Sequence, residues 1–187
     1  MTIAPAGPIW ERRINTAFAW GLRHWLLFAN GLALLYAGLP WLSPLARAAG
    51  YEGLGRLLFL LYTPLCHQRP ERSFCVHGYQ VAYCHRCTAM YTSIAAAGLL
   101  FGLLRRRIKP AALRTGGLLV LPMLLDGGTH LIDDLLGIGF RGGGDAIGTL
   151  NFWLRMFTGL LVGATVLIML YPRLERDFRQ PAAMIRA

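Results

Sequence analysis

Four stretches of this 187-residue chain are apolar over lengths that match the hydrocarbon core of a bilayer: His24–Leu42, Thr88–Leu104, Thr115–Leu136 and Phe152–Tyr171. In lipid every backbone N–H and C=O must find its partner within the chain, so segments of roughly 20 residues span as α-helices. A composition that is 55% hydrophobic, with a mean hydropathy of +0.45, agrees with a membrane protein and disagrees with an ordinary soluble domain.

A fifth run, Leu57–Leu65, has nine residues and contains Pro64. Gly53–Cys66 is therefore expected as a half-helix, a short tilted span or a re-entrant piece. Basic residues choose between topologies, because short cytoplasmic loops collect Lys and Arg. A full crossing by Gly53–Cys66 would put Arg105, Arg106, Arg107, Lys109 and Arg114 outside. With four spans and both termini inside, 12 basic residues are cytoplasmic and six (Arg47, Arg56, Arg69, Arg72, Arg86, Arg141) are not, while Arg155 lies within a span. The four-span arrangement is the one expected. A net charge of +10 would suggest nucleic acid in a soluble protein. Here the arginines flank apolar spans and face lipid head groups, so nucleic-acid binding is excluded.

The chain reads as one membrane domain, residues 1–187. Residues 1–23 form a lead and an interfacial helix running into the membrane, and from Trp10 to Trp25 the apolar Trp10, Ile14, Ala17, Phe18, Leu22 and Trp25 recur at helical spacing. Residues 24–171 form the bundle, and 172–187 a basic cytoplasmic tail.

All four cysteines and three of the five histidines lie between Cys66 and Cys87. Cys84-x-x-Cys87 opens a helix, whose N-terminus favours thiolates, the form needed for both metal binding and thiol exchange. A bend returning the chain over Gln68–Tyr83 would set Cys66 beside that pair. Cys66, Cys84 and Cys87 with His67 would then complete a tetrahedral zinc site, with His77 or His85 as lesser candidates for the fourth ligand. Two other readings use the same residues. The pattern of two loop cysteines before a helix-start pair resembles the quinone-linked thiol oxidoreductases of the vitamin K epoxide reductase and disulfide-forming types. Structural disulfides on an oxidising face are the third reading. Spacing alone leaves the three open, with metal preferred. Haem attachment is excluded because Thr88 follows Cys87.

A second constellation lies within the spans. Asp126, His130, and Asp133 or Asp134 share one helix face, and Asn151 and Arg155 are an i, i+4 pair. Ionisable groups inside a span cost roughly 3 kcal/mol each and normally pair toward the protein interior. Arg155 is expected to pair with Asp126 or Asp133, with His130 handling protons or metal. Gly98-x-x-x-Gly102 and Gly159-x-x-x-Gly163 read as helix-packing sites.

Cys66-His67-Gln68-x-Pro70-x-Arg72-Ser73-Phe74, Cys84-His85-Arg86-Cys87, Asp126-Gly127-Gly128-Thr129 and Asn151-x-x-x-Arg155-x-x-Thr158-Gly159 together resemble the signature of an uncharacterised family of small prokaryotic integral membrane proteins. Ala89 stands where that family's pattern has glycine, and Cys75 is outside the pattern. The resemblance implies a multi-pass protein of the prokaryotic cytoplasmic (inner) membrane and merges both constellations into one composite site.

The expected fold is thus an all-α membrane bundle of about four transmembrane helices plus a short interfacial or re-entrant helix. Its expected site has Cys66, His67, Cys84 and Cys87 as zinc ligands at the extracytoplasmic face. Asp126, His130 and Arg155 are the candidate catalytic groups, and Gln68, Arg72 and Asn151 the candidate cofactor-binding ones. Expected partners are the bilayer, a lipid or quinone, and further copies or subunits in an oligomer or larger complex. The alternatives are a thiol–disulfide/quinone oxidoreductase and a non-catalytic membrane subunit stapled by metal or disulfide.

Overall fold

The computed structural model describes residues 8–142 and 144–184; the lead at 1–7 and the end of the expected tail at 185–187 lie outside them. In chain order the elements are α1 (Ile9–Arg23), α2 (Trp25–Ala48), α3 (Glu52–Leu61), β1 (Ser73–Val76), β2 (Tyr79–Cys84), α4 (His85–Leu104), α5 (Leu113–Leu136), α6 (Leu150–Thr165) and α7 (Tyr171–Met184). Four helical segments are long and apolar enough to cross a membrane: Trp25–Ala48, His85–Leu104, Leu113–Leu136 and Leu150–Phe178. Leu103, Leu135 and Leu150 on these helices are more than 70% exposed. Such surface is costly in water and without penalty in hydrocarbon.

The short run behaves as its length requires. α3 has ten residues, about 15 Å of helix, and folds back against α2 without spanning. Gly55 makes the approach possible, since a Cβ there would stand 2.8 Å from the Ser43 carbonyl oxygen. The Ser43 hydroxyl, fully buried, donates to the Gly55 carbonyl at 2.8 Å.

A two-stranded antiparallel hairpin between α3 and α4 is absent from the all-α expectation. His77 and Gly78 both have positive φ, 50° and 80°, the conformation that closes a two-residue hairpin turn with the right twist. Val76 pairs with Tyr79, and Val81, Ala82, Tyr83 and Cys84 of β2 are buried. The hairpin is the bend that carries the chain from Cys66 back to Cys84.

α4 packs between α2 and α6, and α5 packs on α6. At the α4–α6 crossing a Cβ on Gly159 would meet the Ala89 Cβ and the Arg86 carbonyl oxygen, each at 2.8 Å. One on Gly163 would meet Ser93 at 2.4 Å. The close packing expected of Gly159-x-x-x-Gly163 is therefore present, with Ala89 fitted opposite a glycine.

The last span continues past Pro172, where a basic tail was expected to begin. Pro172 has no N–H for the Ile168 carbonyl four residues earlier. A wider turn over Val166–Leu170 opens there, and the Ala111 N–H donates to the Ile168 carbonyl instead, at 2.8 Å. α7 then packs on α1, and the Trp25 indole donates to Glu175 at 2.9 Å. Trp25, Leu26, Phe101 and Tyr171 form the core at this end; Tyr62, Cys66, Ala82, Tyr83 and Cys84 form the core at the other.

Candidate functional site: a thiol trio beside an arginine-lined pocket

Cys66 follows α3, Cys84 ends β2 and caps α4, and Cys87 lies in the first turn of α4. Their sulfur atoms all fall within 4.8 Å of one another, a group that could hold a metal ion. The Cys84 N–H donates to the Cys66 sulfur at 3.2 Å. Hydrogen bonds from the Cys84 and Cys87 thiols, aided by the backbone N–H groups of Gln68 and Cys84, hold Cys66 well below the usual thiol range although burial opposes this. Tyr62, Tyr83 and Tyr91 wall the group; Tyr83 stacks on Tyr91 with ring centroids 4.8 Å apart.

His67 is not in this group, contrary to expectation. Its Nδ1 accepts from the Arg69 N–H at 3.2 Å, and its ring lines the neighbouring pocket. Gln68 has left-handed backbone, φ 48°, which turns the chain two residues after Cys66. His85 is buried between Phe74 and Phe152, and Cys75 is exposed on β1.

Cys84 also walls a cavity of about 270 Å³ lined by His67, Arg69, Arg72, Arg86, Gly127, His130, Leu131, Asp134, Leu135 and Arg155. Gly127, His130, Leu131, Asp134 and Leu135 form one stripe along α5, spaced at helical period. α4 supplies Arg86, α6 supplies Arg155, and the segment before β1 supplies the remainder.

Three carboxylates organise the arginines. Asp134 accepts from both terminal nitrogens of Arg72 at 2.8 and 3.0 Å and from Arg69 at 3.0 Å. Asp145 accepts from Arg72 at 2.6 Å and from Arg155. Asp126 accepts from Arg86 at 2.5 Å and from Arg141. The expected pairing of Arg155 with Asp126 or Asp133 is thus corrected. The loop between α5 and α6 brings Asp145 to Arg155, and Asp133 instead accepts from the Phe140 and Arg141 N–H groups. Burial raises the Asp145 carboxyl, but hydrogen bonds from Arg155 and Arg72 outweigh it and hold the group below its ordinary value. Burial opposes the charge of Arg72, and Asp134 and Asp145 more than compensate.

His130 is 4% exposed, and its Nε2 lies 3.2 Å from an Arg155 nitrogen. A guanidinium only donates, so Nε2 accepts and a neutral ring carries its proton on Nδ1. That Nδ1 is buried without a partner among the described residues.

Gln68 and Asn151 do not reach the cavity. The Gln68 amide donates to the Phe59 and Ala82 carbonyls, at 2.7 and 3.1 Å. Asn151 donates to the Arg141 and Gly144 carbonyls at 2.8 and 3.0 Å. Both are therefore fasteners of the surrounding backbone, whereas Arg72 does line the cavity. Arg141 and Asp145 are site residues the sequence reading left out of the site. The cost of burying Arg155 asked for a carboxylate, but the pattern of a glycine-rich loop gave no sign that Asp145 would supply it.

The fold and site define a multi-pass helical membrane protein with a thiol trio and a guanidinium-lined cavity at one end of the bundle. The chain belongs to the family described as Predicted membrane protein (DUF2085), whose profile matches residues 66–169, a stretch that holds the thiol trio and the residues lining the cavity. It is 24% identical over 156 residues to the uncharacterized protein MJ1492 of Methanocaldococcus jannaschii, covering 80% of this chain and 92% of that one. It is 32% identical over 99 residues to an uncharacterized protein of Methanothermobacter thermautotrophicus, covering 53% of this chain and 78% of that protein. No solved structure matches it significantly.

Proposed function

We propose that this protein holds a zinc ion between Cys66, Cys84 and Cys87 at the extracytoplasmic face of a prokaryotic cytoplasmic membrane, both termini being cytoplasmic. Beside the metal, the intramembrane pocket admits a lipid or quinone. The observation that carries this reading is the meeting of three sulfurs within 4.8 Å where one of them, Cys84, also walls the cavity.

The donor set fits the ion. Tetrahedral zinc takes thiolates at about 2.3 Å, which places sulfurs roughly 3.8 Å apart, inside the span of the trio. Three protein ligands leave a fourth position, as in zinc sites that act on a substrate. Bound zinc would supply Lewis acidity to that fourth ligand. The chain's own groups do the remainder: Arg155 and Arg72 hold negative charge on a ligand, and the His130 Nδ1–H is placed to donate a proton. Asp126 acts through Arg86 and Arg141, so it positions the arginines.

Metal analysis of detergent-purified protein tests the reading. Near-stoichiometric zinc that disappears in Cys84→Ser is expected. Absence of metal together with a disulfide among the trio would overturn it. A thiol–quinone oxidoreductase would instead trap a mixed disulfide with substrate when Cys84 or Cys87 is changed singly. The fourth thiol such a relay would use, Cys75, stands outside the trio. In a non-catalytic subunit with a stapling metal, Asp126→Asn and His130→Ala would leave every cellular phenotype intact.

A further inference from the structure

The geometry points to the class of ligand: the cavity beside Cys84 is a site for a phosphate group, carried on a membrane lipid. This inference rests on the pocket reading above and does not depend on the metal.

The first observation is charge. Arg69, Arg72, Arg86 and Arg155 line the cavity, and the carboxylate lining it is Asp134. Taken as a network, five arginines, with Arg141 included, meet Asp126, Asp134 and Asp145. Asp133 serves backbone N–H groups, and counting it still leaves positive charge in excess. Charge partly withdrawn from water favours a matching counter-charge, which a neutral quinone ring would not supply. A phosphate brings negative charge and several acceptor oxygens, which guanidinium forks bind bidentately.

The second observation is unused hydrogen-bonding capacity. Arg155 is 2% exposed; one terminal nitrogen serves His130 and Asp145, while the other has no partner among the described residues. The Nδ1 of His130 is likewise unpartnered. Both residues line the cavity. Buried donors are ordinarily satisfied, so two left without a partner on residues that wall one cavity mark the place of an acceptor.

The third observation separates a lipid from a soluble phosphate. Leu131 and Leu135 line the same cavity, lie on a candidate span, and are 59% and 74% exposed. A cavity with guanidinium groups within and lipid-facing leucines on its wall suits a phosphate head with an attached acyl chain. Gly127, between these leucines and Arg86, leaves room at the wall, since a Cβ there would stand 3.0 Å from an Arg86 nitrogen.

Native mass spectrometry of the full chain in detergent, with added phosphatidic acid, phosphatidylcholine or inorganic phosphate, reads the site directly. Phosphatidic acid is expected to bind at one per chain and phosphatidylcholine much more weakly. Arg69→Gln, at the partly exposed rim, should weaken phosphatidic acid binding about tenfold, the loss of one charge-assisted hydrogen bond. Arg106→Gln, in the basic turn after α4, should leave it unchanged. Inorganic phosphate binding as tightly as phosphatidic acid, with the same Arg69→Gln loss, would keep the phosphate site and overturn its lipid origin. Equal binding of the two lipids, or equal losses in the two variants, would overturn the site. Zinc content is measured on the same samples. Loss of the metal reading with retained phosphatidic acid binding would leave this inference standing, and the converse result would remove it alone.

Discussion

At the residue scale, Asp145 carries more of the site than its place in a glycine-rich loop suggests. It joins Arg72, from the segment before β1, to Arg155 on α6. Because its carboxyl lies below the ordinary 3.8 in the folded protein, its stabilising contribution is complete above that value. The contribution fades as pH falls through the lowered one. Asp145→Asn should cost on the order of 2 kcal/mol at neutral pH, leaving two guanidinium groups under-compensated. It should also flatten the loss of stability below about pH 4. Thermal melts of the detergent-solubilised protein from pH 7 to pH 3 check both. An unchanged acid limb would show that other carboxylates govern it.

At the element scale, the α4–α6 crossing fixes where Arg86 and Arg155 stand relative to each other. Arg86 is within the first turn of α4, and its carbonyl oxygen is 2.8 Å from the place a Cβ on Gly159 would take. Backbone cannot step aside as a flexible side chain can. Gly159→Ala should therefore destabilise the protein by about 1–3 kcal/mol, the usual cost of overpacking. Gly128→Ala, where a Cβ meets nothing within 4 Å, should not destabilise it. Comparing the two melting temperatures checks the crossing. The hairpin acts at the same scale: its His77-Gly78 turn and buried β2 deliver Cys84 to Cys66, and Gln68 pins α3 to β2 through two carbonyls.

At the scale of the whole molecule, α3, the hairpin, the start of α4, the end of α5 and the start of α6 gather at one end. Arg47, late in α2, reaches the same end and lies over the Tyr79 ring at 4.6 Å. The proposed orientation puts this end outside the cell. Cys75 offers a direct test, being exposed while Cys66 and Cys84 are buried and Cys87 is partly buried. A membrane-impermeant maleimide should label wild-type protein on intact cells and fail to label Cys75→Ser. Labelling only after the membrane is opened would reverse the topology.

The sequence by itself determined the membrane class and the four long apolar spans, and marked the fifth run as too short to cross comfortably. Length and hydropathy decide these things one segment at a time, because lipid obliges each span to satisfy its own backbone. It also identified Cys66, Cys84 and Cys87 as companions, and Asp126, His130 and Arg155 as buried polar groups that need partners. Which partners they take was decided only by the tertiary structure. Asp126 meets Arg86 and Arg141, Arg155 meets Asp145, and His67 turns to the pocket while Gln68 and Asn151 fasten backbone. An ion pair depends on where loops and helix crossings place two distant residues, and composition carries no record of that distance. The hairpin was hidden for a related reason: its strands are four and six residues long. A ladder that short is stabilised by burial against α2 and α4 more than by its own pattern.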